Sequence, residues 1–432
     1  MPRKALLWLL PLGLLIGLLE LPLQAISELG FVLQRRLWAL PGLARSGEIP
    51  SVGGLGALVV FGATAALLAL AWGTGLGVGR GGGLASVLAL DRAPQGLAAE
   101  REQAWLEKLS LRVQLARLPL LLLTHLGGLS VGVESPSAAL GASALLAIRR
   151  RWPQCRPLAA MPLPLVAVIG GSAGLGAAFR SPLLAVAYGL EELGRGVGLP
   201  LVLPSLVLAG VGGLLNSGLG QPARLPGLLL GPLAPGLWGW VPLLTLVGSG
   251  LGALFVRLLI PLAGRVQRLM AERRWLGGLV LSALLALIAW ASGGLSLNDG
   301  SLSLEALLQG KPGGTAATIV WRWLASLLSI AAAAPGGLMH DAMTLGALLT
   351  TPLHGMAGLD ARALAQLAAV GATALFAAAN GTPVFCAAFV FTLQGDPSSL
   401  PLLLLVSAVS AVLAERLRGE EWNAHQAQAL LR

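Results

Sequence analysis

Long apolar runs separated by short basic breaks dominate this chain. Apolar blocks occupy about 5–34, 53–78, 118–131, 137–148, 158–195, 199–218, 226–263, 275–293, 316–355, 361–394 and 399–414. They are rich in Leu, Ala and Gly and lack the strict alternation of barrel strands, so they predict helices. A straight membrane span takes roughly 20 apolar residues, which leaves room for about ten or more in a chain of 432. Several blocks are too short to cross or are interrupted by Gly or Pro, and these predict tilted and broken helices. The polar insertion Asp91 to Lys108 mixes Glu100, Arg101, Glu102, Glu107 and Lys108 and reads as a solvated loop or short surface helix. A second polar stretch, Asn298 to Gly314, reads as a connector between two spans.

Arg3 and Lys4 precede the run Ala5 to Leu19 in the manner of a signal peptide. Apolar character resumes after Glu20 without a small-residue cleavage site, so a retained first helix is expected. The segment after Arg416 is too short for a regulatory domain. The expectation is one transmembrane domain over 1–432, with no cytoplasmic regulatory domain.

Composition strengthens this reading. Hydrophobic residues make up 56% of the chain and charged residues 11%, too apolar for an ordinary soluble domain. The result is an all-α polytopic membrane protein, expected in the plasma (inner) membrane. The net charge of +10 comes from 29 Lys and Arg that fall mostly between apolar runs, as at Arg35 and Arg36, Arg149 to Arg151, Arg273 and Arg274, and Arg416 and Arg418. Basic breaks of this kind suit anionic lipid surfaces and set topology, so the partner expected of them is lipid, not nucleic acid. Cys155 and Cys386 form no CxxC pattern, and His125, His340, His354 and His425 show no ligand spacing. Neither a metal site nor a cofactor is expected.

Against this background, Gly132-Val-Glu-Ser-Pro136 stands out, because it sets a carboxylate on a glycine-proline break between two apolar runs. A charged side chain near the middle of a bilayer costs roughly 3 kcal/mol or more, so Glu134 is a functional candidate by default. A helix that starts inside the membrane also presents free N–H groups and a positive dipole end, which suit an anion or a tethered carboxylate competing with one. The break has a counterpart: Gly132 to Ala142 overlays Gly337 to Ala347, matching Gly, Leu, Gly and Ala at the same spacing. Gly171 to Pro182 overlays Gly371 to Pro383 with one gap. Two ordered matches at similar offset predict halves of about 1–220 and 221–432, divided near 219–225. Transporters use such inverted halves to build a midplane site from broken helix ends.

With these motifs in place, the chain resembles the CLC family of chloride channels and proton-coupled chloride antiporters. The family's GREGP appears as GVESP, with Glu134 at the gating-glutamate position. Gly174 to Pro182 and Leu190 to Leu193 are similar to GLAAAFNAPL...EE, which puts Glu192 at the internal proton-transfer position. Ala334 to Asp341 takes the place of APGGIFAP. The likeness runs from about Gly79 to Ala414 and is most specific from Ser130 to Leu193. It implies a CLC-like inverted repeat of tilted, broken helices, a homodimer with one pathway per subunit, and interfaces within about 184–216 and 384–414.

The departures fall at the anion site. The family's GSGIP best matches Gly79 to Gly83, placing Arg80 where a serine is expected. Met339 replaces a phenylalanine and Asp341 a proline. The family's pore tyrosine is missing: its place falls near Gly395 and Asp396, and the chain's only tyrosine is Tyr188. What survives is backbone. N–H groups near Gly81, Val133 and Leu338, with Met339 beside them, are the expected anion ligands, and Arg80 is the expected fixed charge. Asp341 would repel an anion unless neutralised. Two arrangements stay open: Arg80 and Asp341 pair across the halves, or each reaches an interface through a shift of helix register.

The function expected is CLC-type transport of a small inorganic anion such as chloride, by proton-coupled antiport, because both glutamates are kept. Set against it are a passive chloride channel of voltage-gated type and a nonconducting or regulatory protein on the same scaffold, which the lost serine, phenylalanine and tyrosine support. An enzyme is not expected, since no nucleotide loop, metal cluster or nucleophile–base arrangement is present.

Overall fold

The structure, a computed structural model, describes residues 3–38, 44–45, 51–92, 99–152, 154–194, 198–220, 229–294 and 296–431. The expected division at 219–225 lies largely outside these residues, as does 93–98 of the polar insertion. The first half contains α1 (Arg3–Trp38), α2 (Gly54–Gly73), α3 (Leu84–Arg92), α4 (Ala99–Lys108) and α5 (Leu111–Leu126). It continues with α6 (Glu134–Arg151), α7 (Arg156–Ala159), α8 (Leu163–Ala178), α9 (Pro182–Tyr188) and α10 (Leu199–Gly218). The second half has α11 (Trp240–Glu272), α12 (Arg274–Ser292), α13 (Ser301–Leu308), α14 (Ala316–Ala331) and α15 (Met339–Leu348). It ends with α16 (Thr350–Ala357), α17 (Ala361–Asn380), α18 (Pro383–Gln394), α19 (Leu400–Arg418) and α20 (Trp422–Leu431).

Among the described residues, seven helices are long and apolar enough to cross a membrane, and α8, α14 and α18 are shorter apolar helices. A 16-residue helix such as α8 rises about 24 Å, short of the roughly 30 Å hydrocarbon core. Breaks are therefore built into the fold, and among the described residues seven helices have the length and apolarity of a full span in a chain with room for about ten or more. The breaks follow local chemistry. Pro182 and Pro383 open α9 and α18, where a missing N–H is harmless. Arg149, Arg150 and Arg151 close α6, where cations face the negative dipole end.

The halves repeat their packing. In the first, α6 lies along α8 and α8 along α10; in the second, α15 lies along α17 and α17 along α19. The α6–α8 crossing is a contact of Gly141 with Gly170 and Gly174, and the α15–α17 crossing is a contact of Gly346 with Gly371. Without Cβ atoms the backbones touch, which is how helices associate where no hydrophobic force separates protein from lipid. At the centre Gly132 N donates to Gly337 O at 3.0 Å and Gly337 N to Gly132 O at 2.9 Å. Residues equivalent by the sequence overlay thus pair with each other in an antiparallel bridge. Such reciprocal pairing is what a two-fold axis passing between the two breaks produces.

Two segments carry more structure than their sequence announces. The stretch Asn298 to Gly314 lies between α12 and α14, as a connector would, but its start is built into the interior. Asn298, Asp299 and Ser303 are buried, Asn298 N donates to Gly128 O, and α13 packs on α15 and α17. The chain after Arg416 folds as α20 and docks on α3.

Candidate functional site

Three helix starts converge at the Gly132–Gly337 bridge. Val133 is the N-cap of α6 and Leu338 that of α15, and both are buried, as is Met339. The third is the glycine turn before α3. Gly82 sits so tightly that a Cβ there would press on Ser135 and on the Gly336 carbonyl. Gly81 and Gly83 have φ of +64° and +83°, a region that side chains disfavour, so this turn needs glycine. First-turn N–H groups have no partner inside their own helix, so the point where these ends meet is electropositive without any side chain. Gly81 is an exception and corrects the expected ligand set. Its N–H donates to Ala333 O at 3.0 Å and is not free for an anion.

Glu134 lies at this point and is fully buried. Its carboxylate curls back over Gly132, which has no side chain to block it. Oε1 meets Nδ1 of His340, which comes from the opposite half, while Oε2 has no hydrogen-bond partner among the described residues. His340 is 3% exposed, stacked on Phe179 at 5.8 Å and met edge-on by Phe389 at 5.7 Å. His340 was not singled out in sequence because histidine spacing along the chain shows no cluster. The available signal was its place inside the Gly337 to Ala347 repeat, opposite the break that carries Glu134.

Of the two arrangements left open for Arg80 and Asp341, the pair does not form. Asp341 is paired with Arg322 of α14, both fully buried. Arg322 also donates to Leu297 O at 3.0 Å and Asn298 O at 2.8 Å, so it ties the buried 297–300 segment to α15. The charge that would have repelled an anion is neutralised from α14. Arg80 is half-exposed instead, with its guanidinium 3.9 Å over Trp72 and Nε donating to Gly77 O.

The buried cation beside the glycine turn is Arg117 of α5. It donates to Gly79 O at 3.2 Å and Gly81 O at 3.1 Å and meets Gln114, so its described partners are carbonyls and an amide, not a carboxylate. Arg80, Gly81, Arg117 and Lys108 all line a cavity of about 690 Å³ that leads to the turn. Asp396 is not at the convergence. It caps a turn after α18 by accepting from Ser398 N at 3.1 Å, and the residue of α18 that reaches His340 is Phe389.

Glu192 sits in a π-helical turn, 189–193, and is 4% exposed. Its carboxylate accepts from Asn380 Nδ2 and Asn423 Nδ2, each at 2.8 Å. Its neighbour Glu191 accepts from Phe385 N at 2.7 Å, capping α18. Asn423 and Gln426 lie about one turn apart on α20, where Asn423 holds Glu192 and Gln426 lines the cavity. Glu192 and the glycine turn therefore face the same side of the protein. Between Glu192 and Glu134 runs a file of rings: Tyr188 to Phe385 at 4.7 Å, Phe385 to Phe389 at 5.7 Å, then His340. The Tyr188 hydroxyl is buried without a hydrogen-bond partner among the described residues.

A sequence model of the family described as voltage-gated chloride channels matches residues 82–415, more than half of the chain. The chain belongs to the CLC family. Solved CLC structures share its fold. A slow cyanobacterial Cl⁻/H⁺ antiporter superposes with a TM-score of 0.78 at 19% identity, covering 100% of this chain and 99% of that one. A CLC-type fluoride/proton antiporter gives 0.70 at 19% identity, covering 97% and 98%. A eukaryotic CLC transporter gives 0.69 at 19% identity, covering 99% of this chain and 74% of that one. A search of curated protein sequences returns no match. Within this fold, Glu134 of the first-half break meets His340 of the second half.

Proposed function

We propose that this CLC protein exchanges a small inorganic anion for protons across the membrane. The observation that carries the proposal is the placement of Glu134: a fully buried carboxyl among converging helix starts, where it contests the position an anion would take. Protonation removes that competition, so anion and proton take turns at one place. Glu192, held by two asparagines on the cavity side, is the matching internal proton acceptor. That similar folds belong to Cl⁻/H⁺ and fluoride/proton antiporters agrees with exchange in preference to a passive pore or a nonconducting role. On this reading the protein is a transporter and not an enzyme, and it works as a homodimer in the plasma (inner) membrane. Its ligands are backbone N–H groups of Val133, Leu338 and Met339 with the charges of Arg117 and Arg80 near the entrance. Arg80 stands where the family has its serine and the family's pore tyrosine is missing, which leaves the Ser135 hydroxyl beside Gly82 and Gly337 as the hydroxyl near the convergence, and on this reading chloride is not strongly preferred.

The test is flux from liposomes loaded with chloride or with fluoride. An anion gradient should drive protons uphill. Glu134→Gln, which imitates the protonated acid, should leave anion movement uncoupled from protons, and Glu192→Gln should lose proton movement while some anion flux remains. Proton coupling that survives in Glu134→Gln, or no flux of either anion in the unmodified protein, would overturn the proposal.

A further inference from the structure

Glu134 has no direct outlet to water, for it is fully buried, and its side-chain hydrogen-bond partner among the described residues is an imidazole. A proton that reaches or leaves this carboxyl must pass through whatever touches it. We infer that His340 is the proton-transfer partner of Glu134, so that the gate is a carboxyl–imidazole pair drawn from the two halves of the repeat. This rests on the exchange reading above.

Geometry supplies the contact, since His340 Nδ1 faces Glu134 Oε1. The surroundings supply a reason for a titrating ring at this place. Asp299, from the buried segment before α13, lies within electrostatic reach of both His340 and His125. His125, at the end of α5, lies within reach of Glu134 and has neither ring nitrogen hydrogen-bonded among the described residues. Glu134, His340, Asp299 and His125 thus form one buried titratable cluster. The other charges nearby are spoken for: Asp341 by Arg322 on α14, and Glu20 of α1 accepts from Ser137 at 2.9 Å. The buried residues of α17, packed along α15, include no titratable group.

The step balances. A proton taken up by the ring makes an imidazolium, and transfer of the Nδ1 proton to Oε1 leaves a neutral imidazole and a neutral carboxylic acid. The ion pair is gone, and the neutral acid no longer competes with an anion for the helix starts. An imidazole is suited to this because its charge changes within the physiological pH range, whereas an unperturbed carboxyl stays ionised there. Phe179 and Phe389 hold the ring against Glu134 without offering it a competing acceptor.

His340→Gln and His340→Phe in liposomes loaded with chloride or fluoride test the inference. The proton-to-anion flux ratio should fall by about a hundredfold or more in both, the scale of losing a positioned acid–base group. The pH profile of proton movement should pass from that of two interacting groups to that of one. Phe replaces the ring's packing but not its protons, so recovery of the wild-type ratio and profile in His340→Phe would show a merely structural histidine and overturn the inference. An unchanged ratio in His340→Gln would do the same. Neither result touches the exchange reading, which fails if Glu134→Gln still couples or if the unmodified protein carries neither anion. If neither histidine variant folds, ring-¹⁵N spectra of the unmodified protein in lipid decide: His340 must change protonation between about pH 5 and 8, and a ring that stays neutral throughout refutes the role.

Discussion

Single side chains decide what this site can hold. Arg322 and Asp341 are both fully removed from solvent, and in such pairs the two charges offset each other's desolvation. Loss of one partner leaves an unpaired buried charge and is expected to cost about 3–5 kcal/mol. Arg322→Met should therefore lower thermal stability in detergent sharply, because the Asp341 carboxylate is orphaned and the tie to the Leu297 and Asn298 carbonyls is lost. Adding Asp341→Asn should restore part of the loss, a coupling that a double-mutant cycle reads directly. Strictly additive losses would show that the pair is not a unit. By contrast, Arg80→Ser combined with Asp341→Asn should be additive, since Arg80 stacks on Trp72 and not on Asp341.

At the scale of helices, contact without side chains fixes the spacing of the broken elements. Gly346 of α15 lies against the Gly371 backbone of α17, and a Cβ at either residue would drive into the other's carbonyl. Gly346→Ala should destabilise the protein by about 1–3 kcal/mol, the usual cost of forced overpacking. It should also displace His340, six residues earlier on the same helix. Gly264, in the exposed part of α11, has nothing within 4 Å of an added Cβ. Gly264→Ala should be neutral or stabilising by up to about 1 kcal/mol, from helix propensity alone. Melting curves of the two variants side by side check this, and equal effects would remove the close-contact argument. The same logic explains why the overlay of Gly132 to Ala142 on Gly337 to Ala347 was legible: the residues matched there are those that allow the bridge and the two crossings.

On the scale of the whole molecule, the apolar surface left after the halves close includes Leu203 and Leu214 on α10 and Leu405 and Val412 on α19. These fall within the ranges expected of a homodimer contact, and membrane contacts there rest on shape and small residues. Leu214→Trp with Val412→Trp should convert the proposed dimer into a folded monomer, each subunit retaining its own pathway. Single-molecule photobleaching in nanodiscs reads the stoichiometry. A wild-type protein that bleaches in one step would refute the dimer.

The sequence by itself determined the membrane-embedded helical class and the CLC family, and it singled out the repeated breaks and both glutamates. Each is written in local pattern: apolar length, glycine and proline at breaks, and a carboxylate where no carboxylate is cheap. The buried role of Asn298 to Gly300 was not legible, because polar residues that satisfy a buried arginine look the same in sequence as polar residues that meet water. The partners of charges were equally hidden. Arg80 and Asp341 were the two visible departures from the family, yet tertiary packing gave Asp341 to Arg322, 19 positions away, and put Arg117 at the glycine turn. His340 and Glu134 lie 206 positions apart and meet only because a two-fold axis lays one break against the other. Pairing across such separations is a property of the closed fold, since no local preference of the chain records which buried charge another will face.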